Sequence, residues 1–146
     1  MQRSKYQSVI KSSAIYDLVF TFAFAIPGLA LLKINLLFDA HSGFNLLGSF
    51  PTFEPVHLMF VNLLGVIVTI WSVLRIRHPE PIFGLYDAYA RFGFSLIMAV
   101  TLFYYQGTEL ILFFLIPEFL WGVYQWYGYY KMKGNIQENS HFSFTN

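Results

Sequence analysis

Three carboxylates, one guanidinium and one carboxamide fall inside stretches that are otherwise apolar: Asp17, Asp87, Glu118, Arg91 and Gln125. Asp87 and Arg91 stand four residues apart, the separation that puts two side chains on one helix face. Glu118 follows Pro117 directly in "FLIPEFLWG", Phe114–Gly122. Proline has no N–H and crowds the carbonyl four residues earlier, here Phe113. A helix that broke there would restart with Glu118 in its first turn, where partial positive charge favours a carboxylate. Such a set supports three kinds of chemistry. Opposite charges can be permanent ion pairs that fix helix register. A carboxylate that titrates can carry a proton or hold a ligand. One whose pKa is raised by burial can act as a general acid or base.

Spacing tests whether these groups share faces. Asp17, Thr21, Gly28 and Asn35 recur as one helical stripe; Asn62, Gly65, Thr69 and Ser72 make another. Phe94, Ser95 and Met98 continue the Asp87–Arg91 face, and Glu118, Trp121, Gly122 and Gln125 share one side. Asp17, Asp87, Arg91, Glu118 and Gln125 are therefore the candidate polar centre, for a ligand, a proton or structure alone, with Thr21, Asn62 and Trp121 as its secondary lining.

The elements that must position them are long and apolar. Hydrophobic residues make up 56% of the chain and charged residues 12%, against about a quarter charged in soluble domains. A bilayer core of about 30 Å needs roughly 20 mostly apolar residues per helix. The reading is an all-α, polytopic membrane protein: a single domain over 1–146 with four spans near 12–38, 55–76, 82–105 and 109–130, and a polar, mobile tail at 131–146. Pro27-Gly28 is expected to kink the first span. A cleaved signal peptide ending at "AFA", Ala23–Ala25, is the rival reading; Asp17 interrupts its apolar region, and the apolar run continues past the site.

Arg3, Lys5 and Lys11 precede span one, Arg75 and Arg77 lie at the second turn, and Lys131 and Lys133 follow span four. The positive-inside bias then puts both termini and the middle turn in the cytoplasm. Counting about 1.5 Å per residue from that side puts Asp17, Asp87 and Gln125 roughly 8 Å deep, Arg91 roughly 14 Å and Glu118 roughly 18 Å. Arg91 thus lies between shallow acids and one deep acid. Spans three and four, joined by the short "QGT" turn, are expected to be antiparallel neighbours.

Other chemistries lack their residues. With no cysteine there is no disulfide, thiolate site or Cys nucleophile. His41, His57, His78 and His141 are scattered, which argues against a metal or haem site, and no nucleotide motif is present. A net charge of +1 provides no field for nucleic acid. No cofactor is implied. "WGVYQWYGYY" reads as an interfacial aromatic belt. Phe44, Leu46, Leu47, Phe50 and Phe53 could rest on the membrane as a lid, and Gly84 with Ala88 is a small-residue pair for close helix or homodimer contact.

"DAYARFGFSLIMAV" and "FFLIPEFLWGVYQW" resemble small bacterial four-helix membrane proteins of the DoxX-like and BphX-like kind. The likeness covers spans two to four: an Arg opening the third span and an acid near a Trp in the fourth, here Arg91, Glu118 and Trp121. It implies a compact inner-membrane bundle without carrying over catalytic residues. The expected function is a non-enzymatic accessory subunit of a larger membrane complex, or a binder of a small hydrophobic molecule. A proton-coupled small-molecule transporter using Glu118 is the alternative, and a membrane-embedded enzyme on a lipid-like substrate the third.

Overall fold

A computed structural model describes residues 1–143, and side-chain surroundings for residues 1–135. The fold is helical throughout its regular elements: α1 (Arg3–Thr21), a 3-10 turn (Phe22–Ala25), α2 (Pro27–Gly43), α3 (Pro55–Arg77), α4 (Pro81–Phe103) and α5 (Ile111–Ser143). Pro27, Pro55 and Pro81 each begin a helix, where the missing N–H is one of the donors a helix start leaves unpaired anyway. At α3 the start is reinforced by a capping box, in which Glu54 and His57 satisfy each other's backbone N–H groups. That occupies His57 as a cap.

Two expectations need correction. The segment expected as a single kinked span over 12–38 begins earlier, at Arg3, and is broken into α1 and α2 with a 3-10 turn between them. Residues 131–143, expected as a mobile tail, continue α5 as helix. Gly134 is the weakest helix former between Lys131 and Gln137, and a single glycine costs only about 1 kcal/mol.

One end of the bundle gathers the Met1 ammonium on the Lys131 carbonyl (3.1 Å) and the Arg3–Glu80 ion pair (3.1 Å). The opposite end is clipped by backbone. Ser49 N–H donates to Gln106 O (3.0 Å), Thr108 N–H to Ser49 O (3.1 Å) and Glu109 N–H to Leu47 O (3.0 Å). His41 Nδ1 and Thr108 Oγ1 lie 2.7 Å apart beside them. Gly48 makes the clip possible at φ 85°, with room for no Cβ: one would lie 2.7 Å from the Gly107 carbonyl carbon. Gly48→Ala is expected to cost about 1–2 kcal/mol. The check is thermal unfolding in detergent together with faster amide exchange at residues 47–49 and 106–109.

The helices α4 and α5, expected as neighbours, pack together most extensively, and α1 packs on α3. Gly122 lets α5 approach Phe92 and Arg91 of α4. Tyr6 of α1 wedges between Gly84 and Gly128, where added Cβ atoms would come within 2.5 Å of its hydroxyl and 2.9 Å of its ring. Gly84 and Ala88 thus serve packing within the chain. By contrast α3 and α4, connected only by residues 78–80, make few close backbone approaches and meet through side chains near that turn, with the Trp71 and Phe83 ring centroids 5.8 Å apart. They splay and leave a cleft.

The distribution of polarity is inverted. Arg75 and Gln125 are fully buried, while Val19, Ile70 and Leu96 are 71%, 65% and 66% exposed. Two helical stretches, Arg3–Ala25 and Pro55–Arg77, are long and apolar enough to cross a membrane, with mean hydropathies of 1.3 and 2.0.

Candidate functional site: a buried ion network beside an apolar cavity

The site grows from α4. Asp87 and Arg91, one turn apart, are joined by Arg91 Nε donating to Asp87 Oδ2 at 3.0 Å. Arg91 then reaches the two other acids: Nη1 donates to Glu118 Oε2 of α5 at 2.8 Å and Nη2 to Asp17 Oδ2 of α1 at 2.5 Å. A planar guanidinium with several fixed donors suits this three-way contact, which a lysine could not reproduce. Asp17, Asp87, Arg91 and Glu118, drawn from three helices, meet as the stripe pattern anticipates.

A second guanidinium completes the network, and it is the residue the sequence reading placed elsewhere. Arg75, counted with the basic turn, is fully buried. It donates to Asp17 Oδ2 at 2.5 Å and, through Nη1, to Asp87 Oδ2. Its position was readable: Arg75 lies three residues beyond Ser72 and extends the Asn62–Gly65–Thr69–Ser72 stripe by a further turn. Trp71, on the same face, donates from Nε1 to Asp87 Oδ1 at 2.8 Å. Gln125 joins at the edge, donating to Ser13 Oγ at 2.6 Å, and the Arg75 Nη1 lies 3.4 Å from the same hydroxyl. Gln125 Oε1 and Arg75 Nε are buried without partners among the described residues.

Pro117 does not break its helix. It lies inside α5, which runs on through it, so Glu118 does not sit at a restarted N-terminus. Only the Phe113 carbonyl loses its helical donor, a loss confined to one bond near the start of a long helix. Arg91 holds the carboxylate instead.

The discontinuity is in the first segment. At Phe22–Ile26 the chain leaves α-helical geometry ahead of Pro27, and carbonyls are freed. Asn62 Nδ2 donates to the Phe24 carbonyl at 3.1 Å, and the Lys33 ammonium donates to the Phe20 carbonyl while lying 4.7 Å from the Phe24 ring centroid. Lys33 falls inside the first expected span and outside the tally of terminal basic residues. Its role, a cation closing a helix C-terminus, could have been read only with the break in view. Asn62 accordingly does not line the polar centre. Trp121 does not either: it packs beside Tyr16, with ring centroids 6.2 Å apart, and borders a surface recess with Pro117 and Tyr124. Thr21 does line the centre, its hydroxyl donating to the Asp17 carbonyl at 2.6 Å.

Beside the network is a cavity of about 570 Å³. Asp17, Asp87, Arg91 and Glu118 form its polar floor, and Ile67, Phe94, Ile97 and Met98 are among its apolar walls. Ile67 and Ile97 are also 62% and 65% exposed on the outside of the bundle, so the cavity's mouth is the cleft between α3 and α4. A smaller cavity of about 290 Å³ lies by the helix break, bordered by Thr21, Phe24 and Gly65 and by Phe50 and Phe53 of the first loop. Phe44 and Leu47 of that loop face outward.

Among the described residues no three His, Cys, Asp or Glu side chains are grouped to hold a metal. The arrangement can hold register, take up a proton, and receive an elongated molecule with an apolar body and one polar end. Compared with known proteins, the chain matches no family model, no curated protein and no solved structure.

Proposed function

We propose that the protein is a four-span inner-membrane bundle with both termini in the cytoplasm, and that it binds a small, largely apolar molecule in the cavity beside Arg91 and Glu118. The observation that carries this is the cavity itself: about 570 Å³, apolar-walled, floored by a buried ion network, and opening sideways between α3 and α4. That volume is within the usual range of small-molecule sites, about 300–1,000 Å³. Membrane residence is supported by the polar interior and apolar exterior, and by two helices of spanning length. Buried intramembrane charges that face one another are the expected arrangement for such a bundle. The resemblance to DoxX-like proteins agrees with this reading, as does a place as accessory subunit beside a larger complex.

The direct test is extraction of small molecules from protein purified in mild detergent, followed by mass spectrometry. A stoichiometric apolar compound is expected with the natural chain and loss of it with Phe94→Trp, which fills the cavity. Recovery of lipid alone, indifferent to that substitution, would count against binding. Because the chain has no cysteine, single cysteines report topology without background. Cysteines at Ser4 and His78 are expected to resist an impermeant maleimide added outside the cell, and those at Ser42 and Gln106 to react; the reverse pattern would invert the orientation.

A second reading, proton-coupled transport, is favoured by the α1–α2 break, since Thr21 just before it borders both cavities. Discontinuous helices line many transporter sites. A pH-dependent flux in liposomes, abolished by Glu118→Gln, is its expected result.

A further inference from the structure

The ion network does not balance. Asp17, Asp87 and Glu118 supply three carboxylates; Arg75 and Arg91 supply two guanidiniums. Fully ionised, the set carries one net negative charge in a buried interior whose other polar groups beside it, Ser13 and Gln125, are neutral. Among the described residues the other cation within the bundle, Lys33, is committed to the Phe20 carbonyl and the Phe24 ring. An isolated buried charge is costly enough that such sites either neutralise or acquire a counter-ion.

The geometry locates the excess. Asp17 meets both guanidiniums, and Asp87 meets both as well as Trp71 Nε1. Glu118 meets one: Oε2 accepts from Arg91, while Oε1 takes no hydrogen bond from the described residues. Its side chain is also the most accessible of the three, 20% against 9% and 5%, and it borders the cavity. The groups around it are Arg91 and Asp87 from α4, Asp17 and Tyr16 from α1, and Arg75 behind those acids from α3. None is a free cation.

We propose that the cavity takes a singly charged cationic amphiphile, its positive head seated against Glu118 in exchange for a proton. This rests on the binding reading above and names the ligand class. When the cavity has no cation, the proton resides on Glu118. When the head group arrives, the carboxylic acid releases one proton to solvent and its carboxylate becomes the counter-ion, while the apolar body lies among Ile67, Phe94 and Met98. No other bond is made or broken. The network stays at zero net charge in both states, so neither state leaves a buried charge uncompensated.

The test uses the full chain in nanodiscs of phosphatidylcholine, with 4-phenylbutyl-trimethylammonium as probe and, as control, the neutral isostere in which carbon replaces the nitrogen. Calorimetry in buffers of different ionisation heat counts protons. The expected result is preferential binding of the cation, about one proton released per cation, and affinity rising up to about tenfold per pH unit while Glu118 is protonated. Glu118→Gln should retain isostere binding and lose both the preference and the proton; Glu118→Asp should keep both. Should the glutamine variant fail to fold, the proton count on the natural chain still decides. Equal binding of both probes with no proton released would overturn the cation proposal and leave the binding reading intact. Binding of neither probe at millimolar concentration would overturn both.

Discussion

Arg91→Met is expected to abolish a stable bundle, at a cost of at least about 3–5 kcal/mol. Removing one partner of a buried ion pair leaves the other charge uncompensated, and Arg91 serves three partners: Asp17, Asp87 and Glu118. The variant would leave the carboxyl groups of Asp17, Asp87 and Glu118 facing the single guanidinium of Arg75, with Asp17 and Asp87 nearly fully buried. Methionine approximates the lost volume, so the effect reports charge and hydrogen bonding. Arg91→Lys should recover only part, because an ammonium cannot address acids on three helices from fixed directions. The measurement is unfolding by SDS titration in mixed micelles. Combining Arg91→Met with Asp17→Asn should be less damaging than the sum of the two separately, a coupling that a double-mutant cycle reads directly. Additive costs would mean that the ion pair seen between them does not govern stability.

Gly65→Val is the second substitution with a large expected effect. The 3-10 turn lies on α3 with backbone against backbone, and a Cβ at Gly65 would be 2.6 Å from the Phe24 carbonyl oxygen. Overpacking of side chains usually costs about 1–3 kcal/mol; here the obstructing atoms belong to main chain, so the upper part of that range is expected. The broken segment would be pushed off α3, and the Asn62–Phe24 hydrogen bond lost with it. Gly93→Val is the matched control, since nothing lies within 4 Å of its added Cβ. Comparable losses in both would argue that helix glycines matter here for reasons other than this contact.

The parts of the molecule that follow residue type, spacing and connection length are legible in the sequence. Pro55 as the start of a helix follows from residue type, α4 beside α5 from the short turn between them, and the meeting of Asp17, Asp87, Arg91 and Glu118 from steps of three or four. What escaped depends on facts that are not periodic. Arg75 extends the Asn62–Gly65–Thr69–Ser72 stripe, but a snorkelling interfacial arginine at a helix end would do the same, and burial against two acids is what separates the two. Whether Pro27 or Pro117 breaks its helix is decided by the neighbours. At Pro27, Asn62 and Lys33 satisfy the carbonyls an opening would free, and Gly65 makes room for the turn. The residues of α5 continue a helical pattern across Pro117, and its helix is intact. A sequence lists the prolines but not which of them has partners waiting.

The splay of α3 from α4 has a consequence for how any occupant is measured. In a bilayer the mouth of the large cavity, flanked by Ile67 and Ile97, would be bathed by acyl chains at very high local concentration. Under the membrane reading proposed above, the unliganded state would be a lipid-filled one, and every ligand would displace a hydrocarbon tail on entering. Affinity for this site becomes an exchange constant, set as much by chain length and unsaturation in the surrounding membrane as by the side chains of the protein.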